Sequence, residues 1–347
     1  MHLHVLYLAN MVLFGLIILF LFLIGVRNPK AKPFGKEIVT VLKPFLAIGI
    51  VLHHLHAQSV VLFEFERWGP LIVGIFFFIS GYGLSYAYKW RPNHMDHFVA
   101  NKVVAKLIIP TVLAFCVNFV MNEDIDNYSF ITHLTNPNGP SFFPNDWFMY
   151  SLIYCYLIFL VATKTSNRYL HISTLVCGIL LLVIISYLNG FSRNWWATPC
   201  AFFIGALYFL NEDEFIRIVD GKHRFWESSV IYIFIFLCLI ILSALFKSNV
   251  TTVIAYSLLP LLLVNCMIRI DLTEISRNCI IQFLSRISFD IYLIHGIIIS
   301  FLVSQFNMSG GILIISTLSL TLICAYMFYK MRICVQRCFY TLSNINE

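Results

Sequence analysis

Charged residues are scarce in this chain. Asp, Glu, Lys and Arg make up 12% of its 347 residues, while 60% are hydrophobic. A soluble globular domain carries roughly 25% charged and 45–50% apolar residues, so the composition excludes a water-soluble enzyme or binding module. No C-x-x-C pair occurs among the ten cysteines, which removes the usual spacing of a structural zinc site. The cysteines fall in apolar runs or in inner segments as defined by charge below, with Cys334 and Cys338 near the C-terminus. No disulfide framework is therefore expected. Internal repeats, low-complexity tracts and a soluble domain are also missing. The first apolar run has no basic leading segment and no small-residue cleavage site, so it reads as a retained helix.

What the chain does have is membrane-length hydrophobic runs. A transmembrane helix needs about 20 mainly apolar residues with every backbone group paired internally. By that rule spans are expected near 4–26, 38–62, 69–88, 103–121, 147–163, 170–188, 195–210, 228–246, 250–268, 280–304 and 310–329. The expected fold is an all-α, polytopic transmembrane helix bundle of about eleven spans, a ten-helix core plus one N-terminal helix. Its divisions are 1–37 (extra helix and linker), 38–330 (core) and 331–347 (short cytoplasmic tail). Alternate loops hold 19 of the 23 Lys and Arg residues on one side, against Arg67, Arg193 and Lys247 on the other. The positive-inside rule then predicts an outer N-terminus and a cytoplasmic C-terminus. The net charge of +6 is an orientation signal and implies no nucleic-acid partner.

One cation, Lys43, lies inside a span, in "KPFLAIGIVLHHLHAQ", residues 43–58. An ionisable group within the membrane is costly and is a functional hypothesis by default. Eleven residues at 100° each return His54 to within about 20° of Lys43, whereas His53 is about 80° off. The pair is separated by roughly 16 Å along the axis, so it marks two stations on one helix face. Lys43 could alternatively snorkel to the interface. His53, His54 and His56, at i, i+1 and i+3, spread around the helix, which disfavours a metal cluster.

Other polar features follow. Gly74, Ser80, Gly81 and Gly83 in "GIFFFISGYGLSYAYK" permit close helix approach. Lys102 and Lys106 share a face at the inner surface, as membrane anchors or as a seat for an anionic head group such as a pyrophosphate. Ser288, Tyr292 and His295, at i, i+4 and i+7, align toward the bundle interior. Asp290 is expected to pair with Arg286, four residues away. The outer loop 122–146 carries four acidic residues and no Lys or Arg, and is either a solvated connector or a lid. The stretch 211–227 reads as an amphipathic linker.

Taken together, these segments resemble the acyltransferase-3 family of integral membrane acyltransferases. The matching elements are Lys43 and His54 (with lysine where arginine is more usual), "FFFISGY" at 76–82, "NKVVAKLIIP" at 101–110, Trp147 in "NDWFMYSLI", and "SFDIYLIH" at 288–295. The resemblance covers about 38–330 and leaves the span 4–26 outside. The missing esterase-like domain suggests a stand-alone transferase.

The resemblance implies transfer of an acyl group, usually acetyl, from cytoplasmic acyl-CoA to a hydroxyl of a surface or exported glycan, in a bacterial plasma membrane. The donor substrate would be acetyl-CoA or another acyl-CoA, with no metal. The expected partners are that donor, a glycan or lipid-linked glycan acceptor, and membrane lipids. The implied catalytic residues are His54, Lys43, Tyr292 and His295, with Lys102, Lys106 and Ser80 at the donor. His54 would act as general base or as an acyl-carrying nucleophile, and Tyr292 and His295 are candidate oxyanion donors. A rival class, a transporter or flippase of a glycan or lipid-linked precursor, would also need intramembrane polar groups. Inverted repeats and paired broken helices do not support it.

Overall fold

The computed structural model describes residues 31–56, 62, 65, 68–121, 142–220, 227 and 249–343. Among these residues all regular structure is helical. The helices are α1 (Lys36–Leu55), α2 (Trp68–Trp90), α3 (Val99–Met121), α4 (Trp147–Ala162), α5 (Arg168–Leu188), α6 (Arg193–Ala197), α7 (Cys200–Leu210), α8 (Glu212–Val219), α9 (Asn249–Met267), α10 (Thr273–Arg277), α11 (Cys279–Phe306) and α12 (Gly310–Ser343). Seven of them are long and apolar enough to cross a membrane, and α4 is a shorter apolar helix. Each expected span within the described residues finds a helix. The expected spans 4–26 and 228–246 lie outside those residues, as does most of the loop 122–146.

Local sequence explains the boundaries. Asn167 caps α5 by accepting from the Tyr169 and Leu170 N–H groups, and Asn278 caps α11 in the same way through Ile280 and Ile281. Left-handed Asn307, at φ 52°, ends α11. The expected span 195–210 is broken into α6 and α7, and Pro199, lacking an N–H to continue the first helix, sits at the break. At about 1.5 Å per residue, eleven-residue α7 cannot span a bilayer alone. Helix α12 runs unbroken beyond residue 330 to Ser343.

Helix α11 is the centre of the bundle. Two-thirds of its apolar window (67%) is buried, against 22% for α5. It packs on α1 and α12, while α2 packs closely along α7. Glycine makes the second contact possible. A Cβ on Gly81 would lie 1.9 Å from the Phe202 carbonyl oxygen, and one on Gly205 would lie 2.1 Å from that of Phe78. The two backbones touch reciprocally, as small residues allow in lipid. Gly74 faces the Tyr256 carbonyl, whereas Gly83 faces open space. On peripheral α5, Leu181, Ile184, Ile185 and Leu188 stay exposed, an apolar surface suited to hydrocarbon.

The segment before α1 is tied down at one end of the bundle. Glu212 accepts from the Phe34 N–H (2.7 Å) and from the Tyr82 hydroxyl (3.1 Å), and Lys32 pairs with Asp271 at 2.9 Å. Residues 211–220 therefore do more than link helices. Burial raises the Glu212 carboxyl above the ordinary carboxylate range, against the opposing pull of those two donors.

Candidate active site

Helix α1 carries Lys43 and His54 toward opposite ends, and each meets a different set of side chains. At the histidine end, the His54 ring centroid lies 5.0 Å from that of His295 on α11. His295 is fully buried, and Tyr292 and Ser288 are each 3% exposed. The i, i+4, i+7 face therefore points inward, as its spacing predicts.

Hydrogen bonds settle the tautomer of His295. Its Nδ1 lies 2.6 Å from the Tyr292 carbonyl oxygen and 3.2 Å from that of Ile291. Carbonyl oxygens only accept, so Nδ1 carries a hydrogen and donates. The other nitrogen, Nε2, is buried and has no hydrogen-bond partner. A proton there would be an unpaired buried donor, so Nε2 carries a lone pair. A hydroxyl group brought to this place would supply the missing partner.

Tyr292 is already engaged. Its hydroxyl donates to the Asn145 carbonyl oxygen at 3.2 Å, and its ring packs at 4.8 Å on Phe148. The segment 142–146 is thereby held against α11, where Pro144 also abuts Gly296. Asn118 and the Asp146 carboxylate hold the same segment through Phe142, whose carbonyl accepts from Asn118 and whose N–H donates to Asp146. Trp147, which opens α4, packs on Phe148 and Trp195.

His53 and His56 border the pair. The His53 ring is 4.7 Å from His54, and its Nδ1 donates to the Phe65 carbonyl at 2.8 Å. His56 stacks on His53 and donates from Nδ1 to the His53 carbonyl. Both rings are thus committed to backbone on the flank of His54. No group of three or more metal-ligating side chains forms among the described residues.

At the lysine end, Lys106 comes close enough for its charge to act on Lys43. Lys102, Lys106 and Arg91 form a mutually repelling set around His94. An open cleft of about 550 Å³ adjoins them, lined by residues 88–96, including Trp90, Arg91 and His94. Burial first, then the charges of Lys102, Arg91 and Lys106, lower the His94 imidazole to about 4. Cations gathered beside a cleft, whose lining also includes Asp96, can seat a polyanion. Arg91 and His94 were not legible as part of it, because they belong to a turn between helices. Ser80 is in hydrogen-bond contact with Tyr156, whose ring centroid lies 6.3 Å from that of Phe98, four residues before Lys102.

Asp290 does not pair with Arg286, which is exposed. It forms a two-pronged bond with Arg332 of α12, Nε to Oδ1 at 2.7 Å and Nη2 to Oδ2 at 2.9 Å. Buried Asp290 faces α12, so the helical neighbour at i−4 cannot reach it.

A membrane-length bundle with a buried imidazole pair at one depth and a cation cluster at another has the parts of an integral membrane group-transfer enzyme. The chain belongs to the acyltransferase-3 family, whose model, described as an acyltransferase domain, matches residues 36–330. No curated protein and no solved structure matches it. As a member, it is a membrane acyltransferase with an acyl donor and an acceptor substrate. The match begins at the start of α1, and the first 35 residues lie outside it.

Proposed function

We propose that this protein transfers an acyl group, most simply acetyl, from cytoplasmic acyl-CoA to a hydroxyl of a surface or exported glycan across a bacterial plasma membrane. One observation carries the reading: Lys43 and His54, on one helix, stand beside a cation cluster at one end and a paired imidazole at the other. The lysine end would be cytoplasmic, where the donor's phosphates meet Lys43, Lys102 and Lys106. The thioester would extend along α1 toward the histidines, and the glycan would enter from the outer side near 142–146.

In the direct route the His54–His295 pair removes the hydroxyl proton while the oxygen attacks the thioester carbonyl. The new C–O bond forms, the C–S bond breaks, and the thiolate takes up a proton to leave as the thiol. An imidazole suits this task near neutral pH. With its Nδ1 proton given to backbone and its Nε2 bare, His295 fits a proton acceptor better than an oxyanion donor. The Tyr292 hydroxyl, already donating to Asn145, fits a positioning role. In the alternative route His54 carries the acyl group covalently between donor and acceptor.

The test is labelled acetyl transfer to envelope glycan in cells at matched protein levels. His54→Ala should lower transfer about 10²- to 10⁴-fold, whereas His53→Ala, whose ring is committed to Phe65, should keep most activity. Full activity in His54→Ala, or equal loss in both, would refute the assignment.

A further inference from the structure

The basic pair Lys102 and Lys106 sits on an unusual piece of helix. Residues Val99–Ile108 of α3 are wound as a π-helix, and the Ile109 N–H reaches back five residues to the Val104 carbonyl. The next carbonyl in that ladder belongs to Ala105, and its donor would be residue 110. That residue is proline, which has no N–H. Ala105 is fully buried, so water cannot replace the lost bond. An orphaned buried carbonyl costs about 1–3 kcal/mol unless something else donates to it.

The donor comes from another helix. Gln336 of α12, 7% exposed, donates from Nε2 to the Ala105 carbonyl. Its Oε1 accepts from Arg332 Nη1 at 3.3 Å, which fixes the orientation of the amide. The same Arg332 grips Asp290 through its other two nitrogens. Asp290 is two residues before Tyr292 and five before His295 on α11. A single polar chain, Asp290–Arg332–Gln336–Ala105, therefore joins the histidine-bearing helix to the helix that carries the lysines. Every group in it is bonded, the condition under which a buried network rigidifies its surroundings.

We infer that Gln336, oriented by the Asp290–Arg332 pair, is a positioning residue for donor binding, holding the π-wound segment so that Lys102 and Lys106 face the phosphates of a coenzyme A-type donor. This rests on the proposed function, since it takes the anion to be the donor's. Gln336 touches no reacting atom. It acts through the Ala105 carbonyl, which lies between the two lysines in sequence. π-Helical winding is rare and falls frequently at functional sites, and here the carbonyl it leaves open is met by a side chain 231 residues away in sequence.

The test uses the full chain in detergent, with coenzyme A as probe and calorimetric binding as readout. Unaltered protein is measured first, beside the Lys102→Gln/Lys106→Gln double variant. Two substitutions then remove the donor. Gln336→Met keeps the volume, and Gln336→Glu also keeps an acceptor for Arg332. Each should weaken coenzyme A binding about tenfold, since small misplacements of binding groups are costly. In the lysine-free background the same substitutions should have almost no further effect, because interacting residues are non-additive. An unchanged affinity in both Gln336 variants would overturn the role while leaving the donor reading intact. The same loss with and without the lysines would mark a purely architectural effect, as would failure of both variants to fold. If the unaltered protein does not bind coenzyme A, the donor reading fails, and the role assigned to Gln336 fails with it.

Discussion

Replacing His295 by asparagine separates the two jobs of one ring. The asparagine amide nitrogen comes near the position of Nδ1, so it can still donate to the Tyr292 carbonyl, now 2.6 Å from the imidazole. It cannot supply the Nε2 lone pair, which is the atom without a partner. The atoms lost amount to little more than one methylene equivalent, about 1 kcal/mol of burial, so the protein should accumulate and melt nearly as before. The rate should not survive as well. Loss of a positioned base costs about 10²- to 10⁴-fold, or about 3–5 kcal/mol of barrier. The loss should fall on kcat, because the lysine cluster that meets the donor is roughly 16 Å away along α1. The assay is acetyl transfer from saturating labelled acetyl-CoA to glycan in membranes carrying matched amounts of each protein. Activity in His295→Asn comparable with the unaltered protein would refute the assignment of Nε2, as would a raised donor KM at unchanged kcat.

Four further outcomes follow from the geometry. The His94 imidazole is lowered to about 4 by burial and by Lys102, Arg91 and Lys106, so an arriving phosphate should raise it. Coenzyme A binding near pH 5.5 should then take up protons, read by calorimetry in buffers of different ionisation enthalpy, and His94→Gln should abolish much of the uptake. The same depression means the unfolded chain binds a proton that the folded chain does not between about pH 4 and 6.5, so acidification through that window destabilises the fold and His94→Gln should relieve part of the loss. Glu212→Ala leaves the Phe34 N–H and the Tyr82 hydroxyl without their acceptor and should cost about 1–3 kcal/mol; an unchanged thermal midpoint in detergent would count against that tie. Gly205→Ala drives a methyl toward the Phe78 carbonyl and should destabilise by about 1–3 kcal/mol or more, whereas Gly83→Ala meets nothing within 4 Å and should be neutral in the same melting assay.

Much was decided by the sequence alone, because lipid makes backbone pairing compulsory. A run of apolar residues has to be a helix there, so the spans 69–88, 103–121, 147–163, 170–188, 250–268, 280–304 and 310–329 could be located before any contact was known. The same helical period placed Lys43 with His54 on one face, and Ser288, Tyr292 and His295 on another, since period is a local property. Pairing between helices is not local. Asp290 had a plausible partner four residues away in Arg286, yet its bond is to Arg332, forty-two residues on, because burial against α12 turned it from its own helix surface. His53, about 80° from Lys43 by rotation, still has its ring centroid 4.7 Å from that of His54 while its Nδ1 donates to the Phe65 carbonyl, a contact that rotation does not foretell. Nothing in the neighbourhood of Gln336 announces that it replaces the N–H missing at Pro110. Periodicity selects the faces that are buried, and only the packed bundle determines which buried polar group meets which, because each must find its hydrogen-bond partner on whichever helix the fold brings beside it.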